Sequence, residues 1–266
     1  MKRAKNIFHW SRASAPLRWG LALLLVGLTA AAVAYIYLPP LPARITTPGS
    51  RVIDYADGSP MTVFLSPDEK WRVPVRTAEV DPDYLTALFA REDQRFYYHP
   101  GVDPLAIGRS LVINVMARRM VTGGSTISMQ LAKLCEPRPR SLSAKLLEAG
   151  MAVRLEARLT KTEILERYLE LLPFGGNIEG IESASLAFFG HRADSLSEAE
   201  TAFLLAVPQN PGSRRPCEQN RKRLATGVER VARMLVKKGV WTEAQAQSAV
   251  KAPLPLQARP FPRDAL

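Results

Sequence analysis

Histidine and cysteine are scarce in this 266-residue chain, with three of the first and two of the second. His9, His99 and His191 are scattered, and Cys135 and Cys217 lie far apart. No pair has the spacing of a metal-ligand or redox motif, so a His/Cys metal cage is not expected. A disulfide between the two cysteines stays open, because sequence does not place them within bonding distance. Acidic residues are absent from the first 50 positions, which hold six basic ones: Lys2, Arg3, Lys5, Arg12, Arg18 and Arg44. The whole chain carries +11, but beyond position 50 the balance is only 30 basic against 25 acidic residues. That excess does not call for nucleic acid; it suits a domain beside anionic lipid or on a phosphorylated substrate. Strand–helix alternation is missing after the first strands, and so is any internal repeat, which excludes a doubly wound sheet and a solenoid.

What is present begins with a long apolar run. Trp19 to Leu38 gives 20 residues without a charge, and at about 1.5 Å per residue a helix of that length spans the hydrocarbon core of a bilayer. The basic flank is N-terminal, so residues 1–18 read as a cytoplasmic tail, 19–38 as a single transmembrane anchor and the remainder as extracytoplasmic. A cleaved signal peptide, with Ala32-Val33-Ala34 as its cleavage site, is the competing reading. Residues 39–50, opening on Pro39-Pro40-Leu41-Pro42, form a stiff linker, 51–252 the folded domain and 253–266 a proline-rich tail.

Two β-rich runs, Arg51–Tyr55 and Met61–Leu65, flank Asp57-Gly58 and predict a hairpin, with Trp71–Val75 as a third extended piece. Thereafter the signals are helical, giving a mainly α domain. Asp81 caps a helix with Pro82 in its first turn, and its apolar face leads to Glu92. Asp103 to Met120 is amphipathic, either an ordinary core-facing helix or a segment dipping into the outer leaflet while its arginines meet phosphates. Ser125 or Thr126 caps the helix after Gly123-Gly124, and a further helix runs from about Ser141 to Leu159. Thr160-Lys161-Thr162-Glu163 is a capping box; Ser195 and Ser197 each fit one later helix start, and Thr242-x-x-Gln245 opens the last.

Three stretches carry candidate chemistry. Glu92 and Asp93 stand at a helix end beside Phe96, Tyr97, Tyr98 and His99. A carboxylate in such surroundings is either a general base or a solvated helix end. The Gly123-Gly124-Ser125-Thr126 turn offers helix-start amides to an anionic oxygen, or is simply a cap. Lys145 and Glu148, three residues apart, share a face, as a surface ion pair or as a charged pair pointing into a cleft.

Taken together and in order, these stretches resemble the peptidoglycan glycosyltransferases, glycosyltransferase family 51, over roughly residues 50–255. The first motif stands as Glu92-Asp93-Gln94-Arg95-Phe96-Tyr97-Tyr98-His99-Pro100-Gly101, the second as Gly123 to Gln130, the third as Ala144-Lys145-Leu146-Leu147-Glu148 and the fourth as Lys161 to Leu169. A fifth is loose in Arg230-Val231-Ala232-Arg233-Met234. The resemblance implies a lysozyme-like helical fold and inverting transfer of a glycan from undecaprenyl pyrophosphate to lipid II, at the bacterial cytoplasmic (inner) membrane with the catalytic domain periplasmic. It implies Glu92 as the base that takes the acceptor hydroxyl proton, with Glu148 as the second catalytic carboxylate. Asp93, Phe96, His99, Arg109, Gly124, Ser125, Thr126, Gln130, Lys133, Arg140 and Lys145 are the implied substrate-binding residues. A divalent cation, Mg²⁺ or Mn²⁺, is an open expectation, with Glu148 as its candidate ligand; no organic cofactor is expected. The implied partners are lipid II, the lipid-linked glycan, the membrane and other cell-wall synthesis proteins, without nucleic acid.

Two positions depart from the family pattern. Ala144 stands for an arginine and Met129 for a glutamine, which removes one phosphate contact and several hydrogen-bonding groups; Met129 and the Pro173–Gly176 run are shared with one subgroup. Bifunctional relatives add a transpeptidase domain. Here the sole Ser-x-x-Lys, Ser248–Lys251, reads as a helix end, so a stand-alone glycosyltransferase is expected. Alternative readings are a catalytically weak scaffold in a cell-wall complex and a lysozyme-like hydrolase. Glu92 and Glu148 are expected to face one cavity with the Gly123–Thr126 turn on its rim.

Overall fold

The computed structural model describes residues 15–119, 123–139 and 141–262, with side chains from Trp19 onward. Most of the expected basic tail and Arg140 therefore lie outside the described residues. The chain divides into two units, Met1–Pro40 and Leu41–Leu266. The first unit contains one helix, α1 (Ala15–Tyr37). Its stretch Trp19–Tyr37 has a mean hydropathy of 2.1 and none of it is buried. By length and composition α1 is able to cross a bilayer.

The second unit is mainly helical. A short α2 (Ala43–Thr46) precedes the expected hairpin, whose strands β1 (Val52–Asp54) and β2 (Pro60–Val63) pair antiparallel. Asp81 then caps α3 (Pro82–Glu92), its carboxylate accepting from the amides of Asp83 and Tyr84. Asp103 does the same for α4 (Pro104–Ala117). Thr126, rather than Ser125, caps α5 (Ile127–Cys135), and Ser141 caps α6 (Leu142–Glu156). Reciprocal capping boxes start α7 (Lys161–Leu171) at Thr160 and Glu163. The core lies among these helices, where Tyr84, Leu88, Ile127, Leu131, Leu155, Ile164, Leu165 and Tyr168 are at most 2% exposed. Fully burying each aliphatic side chain contributes about 1.5–3 kcal/mol.

After α7 the chain makes a second strand pair, β3 (Pro173–Gly175) with β4 (Ile178–Glu179). The sequence predicts a helix break at Pro173–Asn177 and no strand. Two or three residues are too few for alternation to show, and the turn is set by left-handed backbone at Gly175 and Gly176. Trp71, in the third extended piece, joins this pair by a parallel bridge to Ile178. Helix α8 (Ile181–Phe188) follows, then α9 (Glu198–Ala206), which starts at Ser197 rather than Ser195. A single turn, α10 (Pro211–Arg214), leads to α11 (Arg221–Lys237) and α12 (Glu243–Lys251).

The structure overturns the core-facing reading of α4. Leu105, Leu111, Val115 and Met116 are 62–80% exposed, and the buried residue of this helix is Ser110. The apolar face of α4 points away from the core.

Charge holds the strand pair in place. Arg72, 1% exposed, bonds Glu179 at 2.6 Å and Asp68 at 2.7 Å, and Glu179 also takes Arg44 at 2.7 Å. Deleting one member of a buried pair leaves its partner desolvated, so Arg72→Ala should destabilise the protein by about 3 kcal/mol. Urea unfolding followed by circular dichroism measures this; a loss below about 1 kcal/mol would show that the cluster is not structural. Both cysteines are free. Cys135 is buried, which pushes its thiol up to about 12, whereas Cys217 is half-buried. Iodoacetamide should therefore modify Cys217 in the folded protein and Cys135 only after denaturation, as read by peptide mass spectrometry.

Candidate active site

Glu92 is the last residue of α3, and three side chains converge on it. Arg91 Nε donates to Oε1 at 2.9 Å, Gln209 Nε2 to Oε1 at 2.6 Å and Gln130 Nε2 to Oε2 at 3.1 Å. Gln130 comes from α5 and is itself fixed, since the Tyr168 hydroxyl donates to its Oε1 at 3.2 Å. Burial, reinforced by the negative charge of Glu92, pushes the hydroxyls of Tyr84 and Tyr168 above their ordinary range. Glu92 thus stands on a dry aromatic floor, with its carboxylate orientation set by donors from three parts of the chain.

Asp93 faces the other way. It is 8% exposed, and its Oδ2 accepts the Ile127 amide at 3.0 Å and meets His99 Nε2 at 2.9 Å. One carboxylate oxygen therefore ties the end of α3 to the start of α5 and to the turn after Phe96. Thr126 adds a second tie, its hydroxyl donating to the Gly101 carbonyl at 2.5 Å. Gly101 has a φ of 94°, and a Cβ there would meet the Ala152 backbone at 2.8 Å, so only glycine fits between the turn and α6. Lys161 closes this layer. Its ammonium donates to the His99 carbonyl and to Glu156, both at 2.7 Å, and lies 4.5 Å from the centre of the Phe96 ring. Phe96 and His99 are buried in this support rather than open to a ligand.

The cavity beside Glu92 has a volume of about 100 Å³ and is lined by residues 90–95, Asp103, Ala106, Arg109, Gly123–Thr126 and Lys238. The motif-two turn thus forms part of its wall. Gly124 lies flat on α4, where a Cβ would approach the Ile107 Cα to 2.9 Å. Arg95 is paired with Asp103 at 3.4 Å. Arg109 is exposed. Lys238, just beyond α11, donates to the Ala90 carbonyl at the end of α3. Burial, then the nearby Arg109, hold the Lys238 ammonium below its ordinary range, and Glu92 opposes them.

The remaining expected residues are arranged differently. Lys145 Nζ meets Glu148 Oε2 at 2.7 Å on α6; Glu148 is 6% exposed, while the Lys145 side chain is 46% exposed. Neither lines the cavity beside Glu92, nor does exposed Lys133. The Glu148 carboxylate is buried and bonded to its own lysine. Among the described residues no group of three His, Cys, Asp or Glu side chains could hold a metal. One carboxylate fits Mg²⁺ only if phosphate oxygens and water complete the shell. Ala144 is 6% and Met129 2% exposed, so both departures from the family pattern fall at packed positions.

Sequence reasoning missed Arg91, Gln209 and Lys238 around Glu92. Arg91 adjoins it in sequence, but an adjacent arginine is ordinary at a helix end. Gln209 lies 117 residues away and Lys238 contacts a carbonyl 148 residues away, so only the fold reveals them. Asp93→Ala should cost about 2–4 kcal/mol, because it leaves the Ile127 amide and the His99 ring without their shared acceptor. Thermal unfolding checks this; an unchanged midpoint would show that Asp93 does not hold the site together.

Comparison with known proteins finds relatives of this chain. A family model described as Transglycosylase covers residues 57–237. Penicillin-binding protein 1C of Escherichia coli is 38% identical over 224 residues, 84% of this chain and 29% of that protein. Penicillin-binding protein 1A of Aquifex aeolicus is 38% identical over 171 residues, 64% of this chain and 23% of that protein. The crystal structure of penicillin-binding protein 1A from Haemophilus influenzae aligns with a TM-score of 0.42 at 19% identity, over 81% of this chain and 22% of that one. The chain spans less than a third of the length of these relatives. With the match covering more than half of the chain, including Glu92, Gln130 and Gln209, the chain belongs to the transglycosylase family.

Proposed function

We propose that this chain is a peptidoglycan glycosyltransferase that polymerises lipid II by inverting transfer from an undecaprenyl-pyrophosphate-linked glycan. One observation carries the reading: a carboxylate at a helix end, oriented by Arg91, Gln130 and Gln209, faces a cavity walled by a Gly-Gly-Ser-Thr helix start. In the reaction the acceptor sugar oxygen bonds to donor C1 as the bond from C1 to the pyrophosphate oxygen breaks. The bonding pair leaves with the pyrophosphate, and Glu92 takes the acceptor proton. The departing pyrophosphate gathers negative charge, which Lys133, Lys145 and Arg140 offset. Glu148 holds Lys145 in place. Glu148 would hold a divalent cation, which would supply further charge neutralisation. Arg109, Ser125 and Gly124 border the acceptor side.

The membrane completes the reading. Helix α1 anchors the chain in the cytoplasmic membrane with its N-terminus inside. The exposed face of α4 seats the catalytic domain in the outer leaflet, where lipid-linked substrates have their pyrophosphates. Other cell-wall synthesis proteins are the natural company of such an enzyme.

Glu92→Gln keeps the shape of the side chain and removes the base, so polymerisation of labelled lipid II should fall about 10²–10⁴-fold. Equal rates for the two proteins would leave only a scaffold, and cleavage of carrier-free peptidoglycan would favour a hydrolase. For α4, a nitrobenzoxadiazole label on Leu111→Cys should blue-shift on reconstitution into liposomes and be quenched by lipid-borne spin labels. A label on Lys237→Cys should not; identical, water-like spectra at both positions would contradict membrane seating.

A further inference from the structure

Each of the three donors on Glu92 is held differently. Arg91 adjoins Glu92 on α3, and its side chain is only 14% exposed. Gln130 is fixed within α5, its carbonyl oxygen taken by the Tyr168 hydroxyl. Gln209 lies in the short connection from α9 to α10, between Pro208 and Pro211, and it is exposed. Its amide nevertheless reaches Glu92 Oε1 at 2.6 Å, the shortest of the three contacts. The Glu92 side chain is 11% exposed, so little of the carboxylate remains open to anything else.

A base that is to take a proton needs the donor hydroxyl within about 2.6–3.2 Å of an oxygen. With Arg91 and Gln209 both on Oε1, and Gln130 on Oε2, one donor has to give way. Releasing Arg91 would strand a half-buried guanidinium, and releasing Gln130 would break its bond to Tyr168 as well. Releasing Gln209 returns an exposed amide to water, where its hydrogen bonds are replaced.

We propose that Gln209 is an acceptor-gating residue, its amide occupying the place on Glu92 Oε1 that the incoming sugar hydroxyl takes. This inference rests on Glu92 being the base and extends that reading to the loop between α9 and α10. The gate keeps the carboxylate covered while no acceptor is bound, and the loop yields when a hydroxyl of the right height arrives. Two charges bear on the exchange without taking part in it. Lys238 stands at the end of α3, and Arg109 faces the same cavity from α4.

The test compares wild type with Gln209→Ala in two independent readouts. In the first, KM for lipid II should fall about threefold and kcat/KM should rise, the range expected for removing one competing hydrogen bond. A residue that merely orients Glu92 would instead lower kcat/KM with KM unchanged or higher, and that result overturns the proposal. In the second, carbodiimide with glycine ethyl ester labels accessible carboxylates, and peptide mass spectrometry follows Glu92. Its labelling should be about threefold faster in Gln209→Ala, while Glu148, covered by Lys145, keeps its rate. Equal labelling of Glu92 in both proteins overturns the gate whether or not the protein polymerises lipid II. Faster labelling in Gln209→Ala, beside a wild type that proves inactive on lipid II, would instead retain the cover over Glu92 and reject the polymerase reading. Thermal midpoints of both proteins exclude misfolding as the source of either change.

Discussion

A single buried carboxylate oxygen, Oδ2 of Asp93, holds the candidate site together. It joins three segments that no regular secondary structure connects: the end of α3, the start of α5 and the turn at His99. Because Glu92 precedes Asp93, the backbone that Asp93 fixes is the backbone that aims Glu92. Two neighbouring acids thus divide the work: one is buried and ties three segments together, the other holds its carboxylate beside the cavity. The Thr126–Gly101 bond and the Lys161 contacts repeat the same join one layer further out. Removing polar groups from such a layer is costly because each leaves others unpaired in a dry place.

Charge in the molecule is distributed by task. The buried cluster of Arg72, Asp68, Glu179 and Arg44 is internally paired and fixes the small strand pair. Around Glu92 the cations outnumber their partners: Arg91 is paired, while Lys238 is held by a carbonyl rather than an acid. Arg214 lies behind them, its guanidinium pushed below its ordinary range by burial and by Arg230 and Arg91. A chain that had to hold only its own fold would gain nothing from such an excess. The pyrophosphate-bearing substrate proposed for this chain would offset it.

Much of this was legible in the sequence for stated reasons. Helix starts were readable because Asp81, Thr160, Ser197 and Thr242 combine a capping side chain with a partner three residues on or a proline at the first turn. The Glu92 site was readable because its acid, its aromatic support and its turn lie within ten residues. What was not readable depends on distance or on exposure. Gln209 and Lys238 reach the site across more than a hundred residues. The face of α4 is periodic whether or not it meets a core, and only its exposure in the fold shows that it does not. Strands β3 and β4 are too short to carry a pattern.

The account depends on a base on one side of the transferred sugar and a departing pyrophosphate on the other. The most direct test is nuclear magnetic resonance of the bond made in a single turnover between a defined lipid-linked donor and lipid II. The arrangement predicts inversion at donor C1, with one carrier pyrophosphate released for each glycosidic bond formed. Retention at C1, or a free reducing sugar in place of a new glycosidic bond, would contradict it.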